Sequence, residues 1–172
     1  FRSMSTPEPN PDLLKLFSFN LFSQLSGAVT AGMIHIGDKL GLYKILATAD
    51  GAMTSSGLAD AAGLHERWVR EWLGNQAAAR IVSVDHSHAT QPTFSLQPEA
   101  RAVLADENHP AFGMGMFHRL PATMERLTEL PSCFATGVGF NYDAHGHEGA
   151  VGIERSFEPW SNANLKIGRA HV

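Results

Sequence analysis

From Leu16 to Ile36 the chain carries no formally charged side chain, and this is the feature that most limits what it can fold into. Apolar residues recur at Leu14, Phe17, Leu21, Leu25, Val29, Met33, Ile36 and Leu40. Steps of three and four place them along one face of a helix. A membrane span would need about 20 predominantly apolar residues. Here Ser18, Asn20, Ser23, Gln24, Ser26, Gly27, Thr30, Gly32 and His35 interrupt the run, so it reads as buried helix. Gly27 predicts a break into two helices, roughly 12–25 and 28–40. So wide an apolar face in so small a domain predicts packing against a second subunit, a homodimer through the N-terminal helices. The plainer alternative is that the face only covers the domain's own core.

Asp50-Gly51 signals a turn, and Thr54 or Ser55 can cap a short helix from about Ser56 to Ala62, closed by Gly63. A stronger helix follows from Glu66 to about Ala79. Trp68, Val69, Trp72, Leu73, Gln76 and Ala77 are expected on its inner side, with Arg67, Arg70, Glu71 and Gly74 outside. Residues 81–84 and 93–96 read as two short strands around a polar loop. Helix, turn, helix and β-hairpin is the order of a winged helix. Pro98 suits the first position of a further helix to about Ala105. A Met- and Phe-rich helix over 111–130 should be kinked or split by Pro121, and Pro131 opens a short one that Gly137 closes. Residues 138–149 look irregular, and a last helix is expected from about Ala150 to Leu165. The fold class is therefore mainly α with a small β-hairpin: a winged helix-turn-helix core, N-terminal dimerisation helices and a C-terminal helical extension. The expected division is a disordered tail over 1–11, a dimerisation and winged-helix domain over 12–97, and a helical linker or substrate lid over 98–166.

A winged helix that reads DNA needs cationic side chains on its second helix, because phosphate contacts supply much of the affinity. Between Asp50 and Gln97 stand three basic residues (Arg67, Arg70, Arg80) against five acidic ones (Asp50, Asp60, Glu66, Glu71, Asp85), a net of −2. The hairpin tip offers His86 and His88 but no Lys or Arg. The two tryptophans of the helix look like core. The balance argues against nucleic acid as a partner and for a structural or protein-binding unit. The alternative is a DNA-binding transcriptional regulator whose effector region follows Pro98.

Chemical motifs are sparse. Gly113-x-Gly115 and Gly137-x-Gly139 lack the third glycine, the preceding strand and the following acidic residue of a dinucleotide loop, so no cofactor site and no catalytic residue is expected in this chain. Asp143, His145, His147 and Glu148 resemble metal ligands in spacing, but Gly146 and Gly149 suggest a loop without a defined ligand set, and no metal is expected. Phe112, Met114, Met116, Phe117, Met124, Phe134 and Phe140 read as core, or more sharply as one wall of a pocket for a flat apolar substrate. His118 reads as a satisfied structural histidine. The single cysteine, Cys133, allows no internal disulfide and fits a reducing cytoplasm; a small hydrophobe, not a nucleophile, is its expected role.

The ends read differently from the rest. The Pro-rich, acidic start shows no signal peptide, and Met4 reads as the natural first residue. Residues 167–172 equal the in-frame translation of a common sequencing-adapter string, so the natural frame is expected to be cut at about Lys166. Without both ends, eleven basic residues face seventeen acidic ones, a net of −6.

Several stretches resemble a known family. They are Ala31-Gly32-Met33-Ile34-His35-Ile36-Gly37-Asp38-Lys39-Leu40-Gly41-Leu42-Tyr43, Leu58-Ala59 through Gly63-Leu64, and Trp68-Val69-Arg70-Glu71-Trp72-Leu73. Val103-Leu104-Ala105-Asp106-Glu107 and Arg155-Ser156-Phe157 through Asn164-Leu165 add to them. Together they resemble the N-terminal winged-helix and dimerisation region of bacterial class I methyltransferases that use S-adenosylmethionine. The resemblance implies methyl transfer to a small molecule in the full-length protein, with the cofactor motif shortly after Leu165. It implies no catalytic or cofactor-binding residue here, only subunit pairing and a roof over the substrate pocket. By that logic Tyr142, Asp143, Phe157 and Trp160 are the expected pocket-adjacent residues.

Overall fold

The computed structural model describes residues 8–87 and 91–165. The expected adapter-like tail and His88 lie outside these residues. The first helix, α1 (Pro11–Lys39), is a single helix of 29 residues. The side chain of Asn10 accepts the backbone N–H groups of Asp12 and Leu13 at 2.9 and 3.2 Å, and Pro11 needs no partner in the first turn. The break expected at Gly27 does not occur. One glycine costs a helix about 1 kcal/mol, too little to stop a ladder that continues on both sides. Gly41, in the left-handed region at φ 70°, makes the turn into α2 (Leu42–Thr48) instead.

The capping expected from sequence is present in α3 (Ser55–Ala62), where the Thr54 hydroxyl accepts the Gly57 N–H at 3.1 Å and left-handed Gly63 ends the helix. Next comes α4 (Glu66–Ala78). Arg80, left-handed at φ 60°, turns the chain past its end, and the N–H groups of Ile81 and Val82 bond back to the Gln76 carbonyl at 2.9 and 3.3 Å. That closure uses the residues read as the start of the first strand. β1 is therefore Ser83–Asp85, pairing antiparallel with β2 (Thr93–Ser95), Val84 opposite Phe94. Met53 bonds to the other edge of Phe94 in both directions, at 2.9 and 2.7 Å, and so ties the hairpin to the segment before α3.

Pro98 opens α5 (Pro98–Leu104) as expected. The Met- and Phe-rich stretch is split beside Pro121, as expected, into α6 (Met114–His118) and α7 (Leu120–Glu125), followed by a 3-10 turn over Arg126–Thr128 and α8 (Leu130–Thr136). Pro121 and Pro131 sit in the first turns of α7 and α8, where a missing N–H costs nothing. A second 3-10 turn, Tyr142–His145, leads into α9 (Gly146–Asn164), which starts four residues before the expected Ala150.

One core joins these pieces. Leu42, Tyr43 and Leu46 of α2, Leu58 of α3, and Val69, Trp72 and Leu73 of α4 are buried with Phe94, Leu104, Phe112 and Met114. Two backbone approaches shape it. A Cβ on Gly37 would strike the Trp72 ring and come within 2.8 Å of the Tyr43 ring, so only glycine lets α1 lie this close. At the other end, a Cβ on Gly152 would lie 2.7 Å from the Gly115 carbonyl oxygen, and one on Gly115 would meet the Gly152 carbonyl and Ser156. Helices α6 and α9 thus cross backbone on backbone.

Candidate functional site

The largest chemical feature is apolar. Leu13, Leu14, Leu16, Phe17, Phe19, Leu21, Phe22 and Leu25, on the first half of α1, and Val29 just beyond are between 53 and 75% exposed. They point to all sides of the helix, so this arm does not merely cover the core of its own chain. Farther along, the exposed side of α1 joins α4 in an apolar groove of about 550 Å³. Met33, Ile36, Leu40, Leu42, Leu64, Trp68 and Trp72 line it, with His65 and Glu71 at its polar places. Trp68 is 73% exposed, against the expectation that it belongs to the core. Val69, Trp72, Leu73 and Gln76 form the buried face of α4, and at 100° per residue Trp68 lies about a quarter-turn from its centre.

The charged feature is a cluster around Arg155 of α9. Its guanidinium donates to both carboxylate oxygens of Asp38 on α1, at 2.7 and 3.0 Å, and lies 5.4 Å over the Phe112 ring. It also donates to His118 Nδ1 at 3.1 Å and to Glu107 at 3.4 Å, and Glu107 in turn accepts from Lys44 at 3.0 Å. Hydrogen bonding to Asp38 raises the pKa of Arg155, and Glu107 adds to this, while burial opposes it. The satisfied histidine expected at His118 is met only at Nδ1, which accepts from Arg155. Its Nε2 is 2.8 Å from a Glu148 carboxylate oxygen but not aligned to donate to it, and this buried nitrogen has no hydrogen-bond partner. The cluster was not foreseen. Asp38 and Arg155 stand 117 residues apart, and a pair so distant leaves no local signal.

The residues expected near a pocket fall on two elements. Tyr142 and Asp143 lie exposed in the second 3-10 turn, where Tyr142 packs edge-on against His145 at 6.2 Å between centroids. Phe157 and Trp160 are on the exposed side of α9. Among the described residues no group of three or more His, Cys, Asp or Glu is placed to hold a metal; of the Asp143–Glu148 set, Glu148 faces His118 instead. The apolar group over 112–140 separates as well. Phe112 and Met114 are core and Phe117 packs against it, but Met116, Met124 and Phe134 face solvent, Phe134 at 88%. The stripe loses its phase because the chain changes helix at Arg119 and again at Glu129. Cys133 is half-buried. No helix among the described residues is long and apolar enough to cross a membrane.

Helix, turn, helix and a hairpin anchored at Met53 define a winged helix-turn-helix domain, in a chain that is mainly α. Residues 28–106 match the family model of the Rv2258c-like winged helix-turn-helix domain. Solved structures extend the likeness beyond it. The mitomycin 7-O-methyltransferase MmcR shares the fold with a TM-score of 0.65 at 20% identity, over 90% of this chain and 47% of that one. Human N-acetylserotonin methyltransferase, solved in complex with S-adenosylmethionine, gives 0.58 at 13% identity, over 94% of this chain and 48% of that one. The chain therefore spans about half the length of these methyltransferases and has the fold of that half. Comparison with the curated proteins gives no match.

Proposed function

We propose that this chain is the non-catalytic, dimerising winged-helix region of a cytoplasmic S-adenosylmethionine-dependent methyltransferase, and that it roofs the pocket for a small-molecule methyl acceptor. The observation that carries this reading is the extent of the shared fold. It runs past the winged helix at 28–106 to cover nine-tenths of the chain. A generic winged-helix regulator would share the winged helix but not both α1 and the α5–α9 extension. The sequence supports the division of labour: it holds no glycine-rich cofactor loop. In this reading the cofactor and the reacting groups belong to a following domain. Tyr142, Asp143, Phe157 and Trp160 line the acceptor side, because two exposed aromatics on α9 and a phenol beside a carboxylate suit a flat, partly polar molecule.

Calorimetry with S-adenosylmethionine tests the division. The chain alone is expected to give no heat of binding, and the same chain continued by its natural downstream sequence is expected to give a clear one-site isotherm. Binding by the chain alone would overturn the assignment of the cofactor to a following domain. Absence of binding by both would overturn the methyltransferase reading.

A further inference from the structure

We propose that two copies of the chain pair through α1 in antiparallel fashion, about a twofold axis level with Gly27, so that the first half of each α1 lies over the Trp68 groove of the other. This rests on the dimer reading above and fixes its geometry.

The observation is the spacing of the exposed stripe. At 3.6 residues per turn, Leu14, Ser18, Leu21, Leu25, Val29, Met33, Ile36 and Leu40 fall along one side of α1. Reflected through position 27, Leu25 falls opposite Val29, Leu21 opposite Met33, Ser18 opposite Ile36 and Leu14 opposite Leu40. Three of the four pairs are apolar on both sides. Most of the stripe is open in the single chain: Ile36 and Leu40, at its far end, are 42 and 45% exposed, and only Ser18 and Met33 are half-buried. At 1.5 Å per residue, Leu14 and Leu40 each stand about 20 Å from the axis, so the arm of one copy is as long as the groove-bearing half of the other.

Charge and area agree with this arrangement. No formal charge lies between Lys15 and Asp38, so the stripe presents no ion over that span, and Glu71 is the one carboxylate lining the groove. Phe22, within the stripe, and Trp68, in the groove, are 66 and 73% exposed and together offer roughly 300 Å². With Leu14, Leu21, Leu25, Val29, Ile36 and Leu40 this face approaches the ~800 Å² per partner of a standard stable interface. Because arm and groove belong to the same chain, one twofold operation fills both and leaves no open end. A parallel pairing would set Leu14 on Leu14 and leave the groove uncovered.

The test uses single-cysteine chains in a Cys133→Ser background, one carrying Leu14→Cys and the other Leu40→Cys, mixed and treated with a bismaleimide that spans helices packed about 8–10 Å apart. Crosslinked dimer is expected in the mixture and in neither variant alone. A Leu14→Cys product formed by itself would overturn the antiparallel arrangement. A second mixture, Ser18→Cys with Ile36→Cys, is expected to behave the same way and guards against a misfolded first pair. Light scattering of the unmodified chain separates the two layers. A monomer at tens of micromolar would sink the dimer itself; a dimer that crosslinks in neither mixture would sink only the geometry. Trp68→Glu is expected to weaken the dimer about tenfold or more, as loss of a central aromatic anchor does. An unchanged dissociation constant would remove the groove from the interface.

Discussion

Gln76 is the one fully buried polar side chain among the described residues, and it is satisfied: its Oε1 accepts the Tyr43 hydroxyl at 2.5 Å and its Nε2 donates to Asn75 at 2.9 Å. Tyr43 packs edge-on against Trp72, whose indole N–H reaches the Met33 carbonyl of α1 at 2.8 Å. Three helices are thereby held by groups that have no alternative partner. Tyr43→Phe leaves the Gln76 oxygen unpaired and is expected to lower stability by about 1–2 kcal/mol near neutral pH. Burial, with a smaller contribution from the Asp38 charge, raises the Tyr43 pKa well above its ordinary value. A phenol whose folded-state pKa is raised contributes stability that is full below the unfolded value of about 10 and is lost as pH climbs past it. The gap between the wild type and Tyr43→Phe should therefore narrow above about pH 10. Urea midpoints from pH 8 to 11 measure this, and a gap that stays constant would refute it. At this scale sequence told part of the story. The period of four placed Trp72 in the core, but it did not separate Trp72 from Trp68, because whether a flank of α4 is covered depends on what packs there.

Helices and turns were more legible where the signal is local. Thr54, Gly63, Pro98 and Gly137 each bound an element where their backbone chemistry says they should. The failures share a cause. Gly27 did not break α1, and α9 began at Gly146, because a helix boundary depends on summed neighbours more than on one weak residue. What holds α9 was not readable at all. The Asp38 side chain is only 8% exposed and Arg155 22%, so Arg155→Ala would strand a nearly buried carboxylate. Breaking such a pair by removing one partner is strongly destabilising. A loss of about 2–4 kcal/mol is expected, toward the lower figure because Arg155 keeps some contact with water. Arg155→Lys should recover only part, since an ammonium cannot fork across both oxygens. Denaturant titration of the three proteins decides this; an Arg155→Ala midpoint equal to the wild type would show that the cluster contributes no net stability.

For the whole molecule the rival reading was DNA recognition, and the surface of α4 bears on it. Arg70 lies 3.4 Å from Glu66 on the same helix, and the large exposed side chain of that helix is Trp68, an apolar group. A gel-shift with random duplex DNA at low salt is expected to show no retardation, and tight binding that fades with added salt would reinstate the regulator. The order of elements, and with it the winged helix, could be read from one sequence because each turn signal is local. The crossing of α6 and α9 could not be, since nothing local in the sequence pairs Gly115 with Gly152. That crossing has a consequence for how the fold comes apart. With main chain against main chain at the two glycines, and only Ser156 and the stem of Arg119 beside them, little at the seam can slide, flatten or swing aside, so neither helix can loosen while the other stays in place. The two should open and close together, as a single cooperative unit.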